Sequence, residues 1–148
     1  RALWQSPDEW WLVTARHQRD AVAGALATAL KGCFAQLVDN SGGFAALHIR
    51  GRNWTTLLRH LSPYDFDSLP IGSCVSTVIG KATFTVIPAS AEGVTLIVRR
   101  SFADYIWALI DRAAFPYGLQ LAAPGEVPDG LLSPLLEDAA QPGSRARA

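Results

Sequence analysis

The sequence predicts an α+β fold: a largely antiparallel sheet with helices packed on one face, arranged as two split β-α-β units. Three observations carry this. Apolar runs of strand length recur from Phe34 to Val98, separated by short turns such as Asn40-Ser-Gly-Gly43 and Gly80-Lys81. Three longer segments, His17 to Lys31, Trp54 to Leu61 and Phe102 to Ala113, repeat apolar residues at helical spacing. The order is then strand, helix, strand, strand, helix, three strands, helix. Runs of strands between single helices favour helices segregated to one face of an antiparallel sheet.

The first strand is Trp10-Trp-Leu-Val13, introduced by Ser6-Pro-Asp-Glu9. The helix from His17 has Ala21, Val22, Ala25, Leu26, Ala29 and Leu30 as its apolar stripe, and Lys31-Gly32 is its stop signal. Phe34-Ala-Gln-Leu-Val-Asp39 reads as a strand, and Phe44-Ala-Ala-Leu-His-Ile49 as its return. Gly51-Arg-Asn53 leads into the second helix, which ends before Pro63. Asp65 to Ser73 is a polar connector. Three strands follow, Cys74 to Ile79, Ala82 to Ile87 and Gly93 to Val98. After the basic pair Arg99-Arg100, Ser101 is expected to cap a helix whose apolar face is Phe102, Tyr105, Ile106, Leu109 and Ile110. Phe115-Pro116 stops it, because proline lacks the N–H and clashes with the preceding turn. Residues 1–118 are read as one domain. Residues 119–148, rich in proline, glycine and alanine, are read as an extended or flexible tail, with Leu131 to Leu136 its only apolar density.

The 148 residues suit one domain with a real core. A net charge of zero gives no electrostatic footprint for nucleic acid. No apolar run is long enough to span a membrane. The N-terminus lacks the apolar core of a signal peptide and begins without methionine, as in a sequence trimmed upstream. Two cysteines, Cys33 and Cys74, are too few for a disulfide framework. Both are expected as reduced core thiols, which points to the cytoplasm.

Catalytic vocabulary is sparse. Gly42-Gly43 lies between two strands, and no phosphate-binding glycine pattern opens a helix. His17, His48 and His60 are too scattered for a metal pair, and neither cysteine belongs to a C-x-x-C motif. His48 alternates with Leu47 and Ile49, so it faces the less buried side of its strand. Asp8-Glu9, and Asp65 with Asp67, stand where caps and turns are expected. No catalytic, cofactor-binding or metal-binding residue is assigned.

Contact residues are the stronger expectation. Trp10 and Trp11 are adjacent in a strand and must point to opposite faces. One can enter the core while the other stays open or meets a covering element. Trp4 and Trp54 join them, since tryptophan is enriched at interface anchors. Arg99 and Arg100 lie at a strand-to-helix junction, where anions are favoured. A salt bridge to Asp104 or a contact with a partner subunit is the simpler role for both.

On these residues the chain resembles the gamma subunit family of heterotetrameric sarcosine oxidase. Leu3-Trp4-Gln-Ser-Pro7-Asp8-Glu9-Trp10-Trp-Leu-Val13 resembles that family's opening. Gly72-Ser-Cys74 with Ile79-Gly80-Lys81 is similar to its central strand and turn, and Val98-Arg-Arg-Ser101-Phe-Ala-Asp104-Tyr105-Ile-Trp107 to its closing strand and helix. Gln5-Ser6 departs from the pattern, which has a small residue and glycine before the proline. The resemblance covers roughly residues 1 to 115. It implies part of the folate-binding domain fold of the glycine-cleavage T-protein. It further implies a complex that demethylates sarcosine oxidatively to glycine, passes the one-carbon unit to tetrahydrofolate and forms hydrogen peroxide. FAD, FMN, NAD, tetrahydrofolate and zinc would then sit in the alpha, beta and delta partner subunits. This chain would be a non-catalytic member. A stand-alone folate-binding module is the alternative, with Asp8, Glu9 and Asp104 as its nearest acidic candidates.

Overall fold

Gly80 and Lys81 join two strands through a two-residue turn, and Gly80 takes φ +58°, as the first central residue of such a turn requires. The computed structural model describes residues 1–122. In it the turn links β4 (Val75–Ile79) to β5 (Ala82–Ser90). A second short turn, Ala91-Glu92, returns the chain into β6 (Gly93–Arg99). β3 (Phe44–Arg50) closes a four-stranded sheet of order β3-β6-β5-β4. Pro88 lies beside a register shift between Pro88 and Ser90, where a strand tolerates a residue without an N–H.

Every pairing in this sheet is antiparallel. The α+β class and the antiparallel sheet therefore stand. The two split β-α-β units do not. β3 and β4 are joined through α2 (Trp54–Arg59), yet they occupy opposite edges and run in opposite directions. A split unit needs two parallel strands flanking a third, and the helix here crosses the whole sheet instead.

The sheet's alternation separates two cores. Phe84, Val86, Val94, Leu96 and Val98 face α2 and α3 (Ala103–Ala114). From α2 come Trp54, Leu57 and Leu58, and from α3 Ile106, Ile110 and Ala114. The first set is spaced i, i+3, i+4 and the second i, i+4, i+8, each one stripe of a helix. Phe66, inside the expected polar connector, joins this core between Trp54 and Tyr64. Ser101 makes no capping bond: a 3-10 turn, Arg100–Phe102, carries the chain into α3 instead.

The opposite face is covered by a hairpin. The expected first strand at Trp10 is its second arm, β2 (Glu9–Leu12), and β1 (Ala2–Ser6) precedes it. Leu3 of β1 packs with Ile87 and Ile97, while Trp11 and Val13 lie against the same cluster. Gln5 fixes the hairpin's end through polar contacts. Its Oε1 accepts hydrogen bonds from Ser76 Oγ at 2.6 Å and Thr85 Oγ1 at 3.3 Å. Those two hydroxyls are themselves 2.8 Å apart.

Two further expectations give way. Phe34 to Asp39 forms no strand: it pairs with no strand of either sheet, although the outer edge of β3 is open. The first helix is shorter than read: α1 spans Arg19–Ala29, after a 3-10 turn Arg16–Gln18, and none of its residues is buried. The apolar segment Leu131 to Leu136 of the expected tail lies outside the described residues.

Gly80 is the most constrained glycine. Besides its positive φ, a Cβ there would run into the Tyr105 hydroxyl of α3. Gly80→Ala is expected to destabilise the chain by about 1–2 kcal/mol. A urea midpoint equal to wild type would show that the turn has no such constraint.

Candidate partner interface

The outer face of the hairpin is apolar and uncovered. Register pairs Ala2 with Leu12 and Trp4 with Trp10, so these four side chains share one face, and Leu3 and Trp11 share the other. Trp4 is 55% exposed, Trp10 60% and Leu12 43%. Trp11 instead turns inward, its ring centroid 4.7 Å from that of Phe44 and its Nε1 donating to Glu9 at 2.7 Å. The parity expected of the Trp10-Trp11 pair is what the hairpin shows.

A second apolar surface lies on the arm between the hairpin and β3. Val22 and Leu26 of α1 and Leu30 just after it are only partly covered, and Phe34, Leu37 and Val38 beyond are exposed, Phe34 completely. The base of the arm is fixed. Asp39 meets Arg19 at 3.3 Å and accepts from Ser41 Oγ at 2.5 Å and from the Ser41 N–H at 3.0 Å. The Ser41 bonds hold the Asp39 carboxyl below the usual carboxylate range, with the Arg19 charge as a lesser cause. A helix of this length is marginal alone even with five alanines. A third surface runs along α3 and past it, through Trp107, Phe115 and Leu121.

Polar groups do not converge in the same way. His60 Nε2 lies 2.8 Å from Tyr117 Oη, while His48 Nδ1 lies 3.1 Å from Thr95 Oγ1 on the other face. No group of three or more His, Cys, Asp or Glu among the described residues is placed to hold a metal ion. A shallow surface depression is lined by Asp111, Arg112, Phe115, Gly118 and Leu119. Asp8, Glu9 and Asp104 do not line it. Asp8 accepts from Ser6 Oγ at 2.6 Å, and Glu9 is held by Trp11.

Residues 1–115 match the sarcosine oxidase gamma subunit family. The chain belongs to that family. Among solved structures, a heterotetrameric sarcosine oxidase from Corynebacterium sp. U-96, in complex with pyrrole 2-carboxylate, has a chain of similar fold, with a TM-score of 0.64 and 21% sequence identity. The match covers 82% of this chain and 63% of that one. No curated protein matches.

In this gamma-family chain the expected contact residues fall into distinct groups. Trp4 and Trp10 are open, and Trp11 is half-buried under the hairpin. Trp54 is corrected: it is 5% exposed, packs in the main core and donates from Nε1 to the Ala91 carbonyl at 3.1 Å. Its place at the first turn of α2 points it inward with Leu57 and Leu58. Arg99 lies over the Phe44 ring, 5.7 Å from its centroid. Arg100 donates to the carbonyls of Gly42 at 2.9 Å and Phe44 at 3.3 Å, tying down the turn before β3. Neither arginine pairs with Asp104 among the described residues. The arm at Phe34, Leu37 and Val38 was missed, because its composition reads as a strand.

Both cysteines are free, but Cys33 is exposed rather than in the core. Cys74 is partly covered, its Sγ 3.4 Å from the Trp4 carbonyl, and burial pushes its thiol up. No helix among the described residues is long and apolar enough to cross a membrane.

His48 gives a pH prediction. Burial first, and the Arg50 charge second, push its pKa below the ordinary 6.5. The folded state thus prefers neutral imidazole. Stability is full above pH ~6.5 and falls as pH drops through the lower folded value. His48→Gln is expected to remove this acid-side loss, read as thermal midpoints from pH 7 down to pH 4. Equal slopes for both proteins would rule His48 out as its source.

Proposed function

We propose that this chain is the non-catalytic gamma subunit of a heterotetrameric sarcosine oxidase-like complex, which oxidatively demethylates sarcosine to glycine. It acts in assembly and in shaping the side of the complex that handles tetrahydrofolate. The one-carbon unit passes to tetrahydrofolate, and hydrogen peroxide is formed. FAD, FMN, NAD, the folate and zinc are held by the alpha, beta and delta partners. The free thiols fit a cytoplasmic assembly.

The observation that supports this best is the outer hairpin face. Trp4, Trp10 and Leu12 stand uncovered on a hairpin that the inner residues hold firmly to the sheet. Rigid aromatic side chains on a fixed scaffold are what interface anchors are made of. The folate-binding alternative requires an open pocket with an acidic residue inside it; the depression beside α3 is lined by Asp111 and not by Asp8, Glu9 or Asp104.

Co-expression of the tagged chain with the larger subunits tests the reading. A yellow, flavin-containing assembly that oxidises sarcosine is expected to elute with the tag. A colourless monomer, with the flavoprotein in the flow-through, would overturn it.

A further inference from the structure

The two edges of the main sheet are treated differently. In β3 the outward-facing carbonyl of Phe44 accepts from the Arg100 guanidinium, and the strand ends on exposed Arg50. Charge blunts that edge, which is how sheets discourage unwanted pairing. β4 has no such device. Val75-Ser-Thr-Val-Ile79 contains no charge, no proline and no bulge, and three of its five residues are β-branched at exposed or half-covered positions beside Ser76.

Register shows which groups are open. Ile79 and Ala82 flank the two-residue turn, so they form a hydrogen-bonded pair, as do Thr77 with Phe84 and Val75 with Val86. The N–H and C=O groups of Ser76 and Val78 therefore point away from β5. No loop or helix among the described residues bonds to these four backbone groups. The Val78 side chain is 43% exposed, on the face that also carries the hairpin.

We propose that β4 is an acceptor edge, and that an extended segment of a partner subunit adds to the sheet as a fifth strand opposite Ser76 and Val78. This rests on the assembly reading above. Four backbone groups spaced along one strand are matched by another extended backbone and not by a helix, whose own groups are already paired. The neutral edge selects a neutral segment without proline at the two pairing positions. Its side chains alternate, one row continuing the apolar helix-side core past Thr77 and Ile79, the other lying beside Val78. A second copy of this chain fits less well, because the solved relative of this fold comes from a heterotetramer of sarcosine oxidase.

Amide hydrogen exchange tests this on the full chain, alone and within the co-expressed complex. The Ser76 and Val78 amides are expected to exchange fast in the isolated chain. They should slow at least about tenfold in the complex, while Thr77, already paired to β5, changes less. Val78→Lys places a charge on the edge. It is expected to leave the melting of the isolated chain unchanged and to weaken assembly at least about tenfold. Val78→Thr should assemble like wild type. Protection in the isolated monomer would mean that the chain covers its own edge, and protection only in a self-associated form would mean a second copy. Either result overturns the proposal. A complex that forms with unprotected Ser76 and Val78 overturns the strand pairing alone, whereas failure to form any complex removes the assembly reading with it.

Discussion

Phe66→Ala is expected to destabilise the isolated chain by about 3–5 kcal/mol, the cost of a buried aromatic side chain plus the cavity it leaves. Phe66 is 1% exposed, with ring centroids of Trp54 at 6.4 Å and Tyr64 at 5.3 Å. Trp54 is anchored through its Nε1 bond to the Ala91 carbonyl, so its ring does not fill the hole by a simple shift. A domain of this size holds only ~5–15 kcal/mol in total. The variant should therefore be close to unfolding at ambient temperature, with a urea midpoint far below wild type. Phe66→Leu, which keeps most of the volume, should lose less. An unchanged midpoint for Phe66→Ala would remove the residue from the core.

The same residue shows where sequence reading stops. Asp65-Phe-Asp67 looks like a solvated connector because one aromatic between two carboxylates has no periodicity to reveal it. Its burial comes from the path of the loop under α2, a tertiary fact. The strands β4, β5 and β6 were legible because their turns carry glycine or short polar pairs and their apolar residues alternate. The buried faces of α2 and α3 were legible in part. Ile106 and Ile110 are in the core, but Phe102 and Tyr105, from the same stripe, remain more than a third exposed. Apolar spacing identifies a helix face, while the width of the face that is buried depends on the sheet below it.

Connectivity was not legible. Strand order, and hence whether a helix joins parallel or antiparallel neighbours, depends on which edges meet, and local pattern does not record that. Phe34 to Asp39 failed for the same reason: its side chains suit a strand, but strands exist only in pairs. β1 was overlooked because Ala2 to Ser6 has a single inward apolar residue, Leu3, beside the polar Gln5, and its outward side carries the exposed Trp4. For the interface, Trp10 and Trp11 were separable by parity alone, whereas Trp54 was misplaced because tryptophan serves cores and contacts alike.

The double substitution Trp4→Ala with Trp10→Ala is expected to have the largest effect on assembly. Interface tryptophans of the anchor kind cost about 2 kcal/mol or more each when truncated. Two acting together should weaken association with the larger subunits by roughly 100-fold or more, given tenfold per ~1.4 kcal/mol. The isolated chain should scarcely notice. Both indoles are more than half exposed, and no hydrogen bond from either Nε1 occurs among the described residues. Trp11→Ala supplies the contrast on the neighbouring residue. Its ring packs on Phe44 and its Nε1 bonds to Glu9, so its loss should lower the urea midpoint of the chain by itself. Titration calorimetry with the larger subunits, beside urea melts of each variant, separates the two faces of the hairpin. If the double variant melts early, the outer face is part of the chain's own stability and no docking role is needed for it. If it melts like wild type and still binds undiminished, the partner lies elsewhere, and the exposed arm at Phe34, Leu37 and Val38 becomes the surface on which assembly depends.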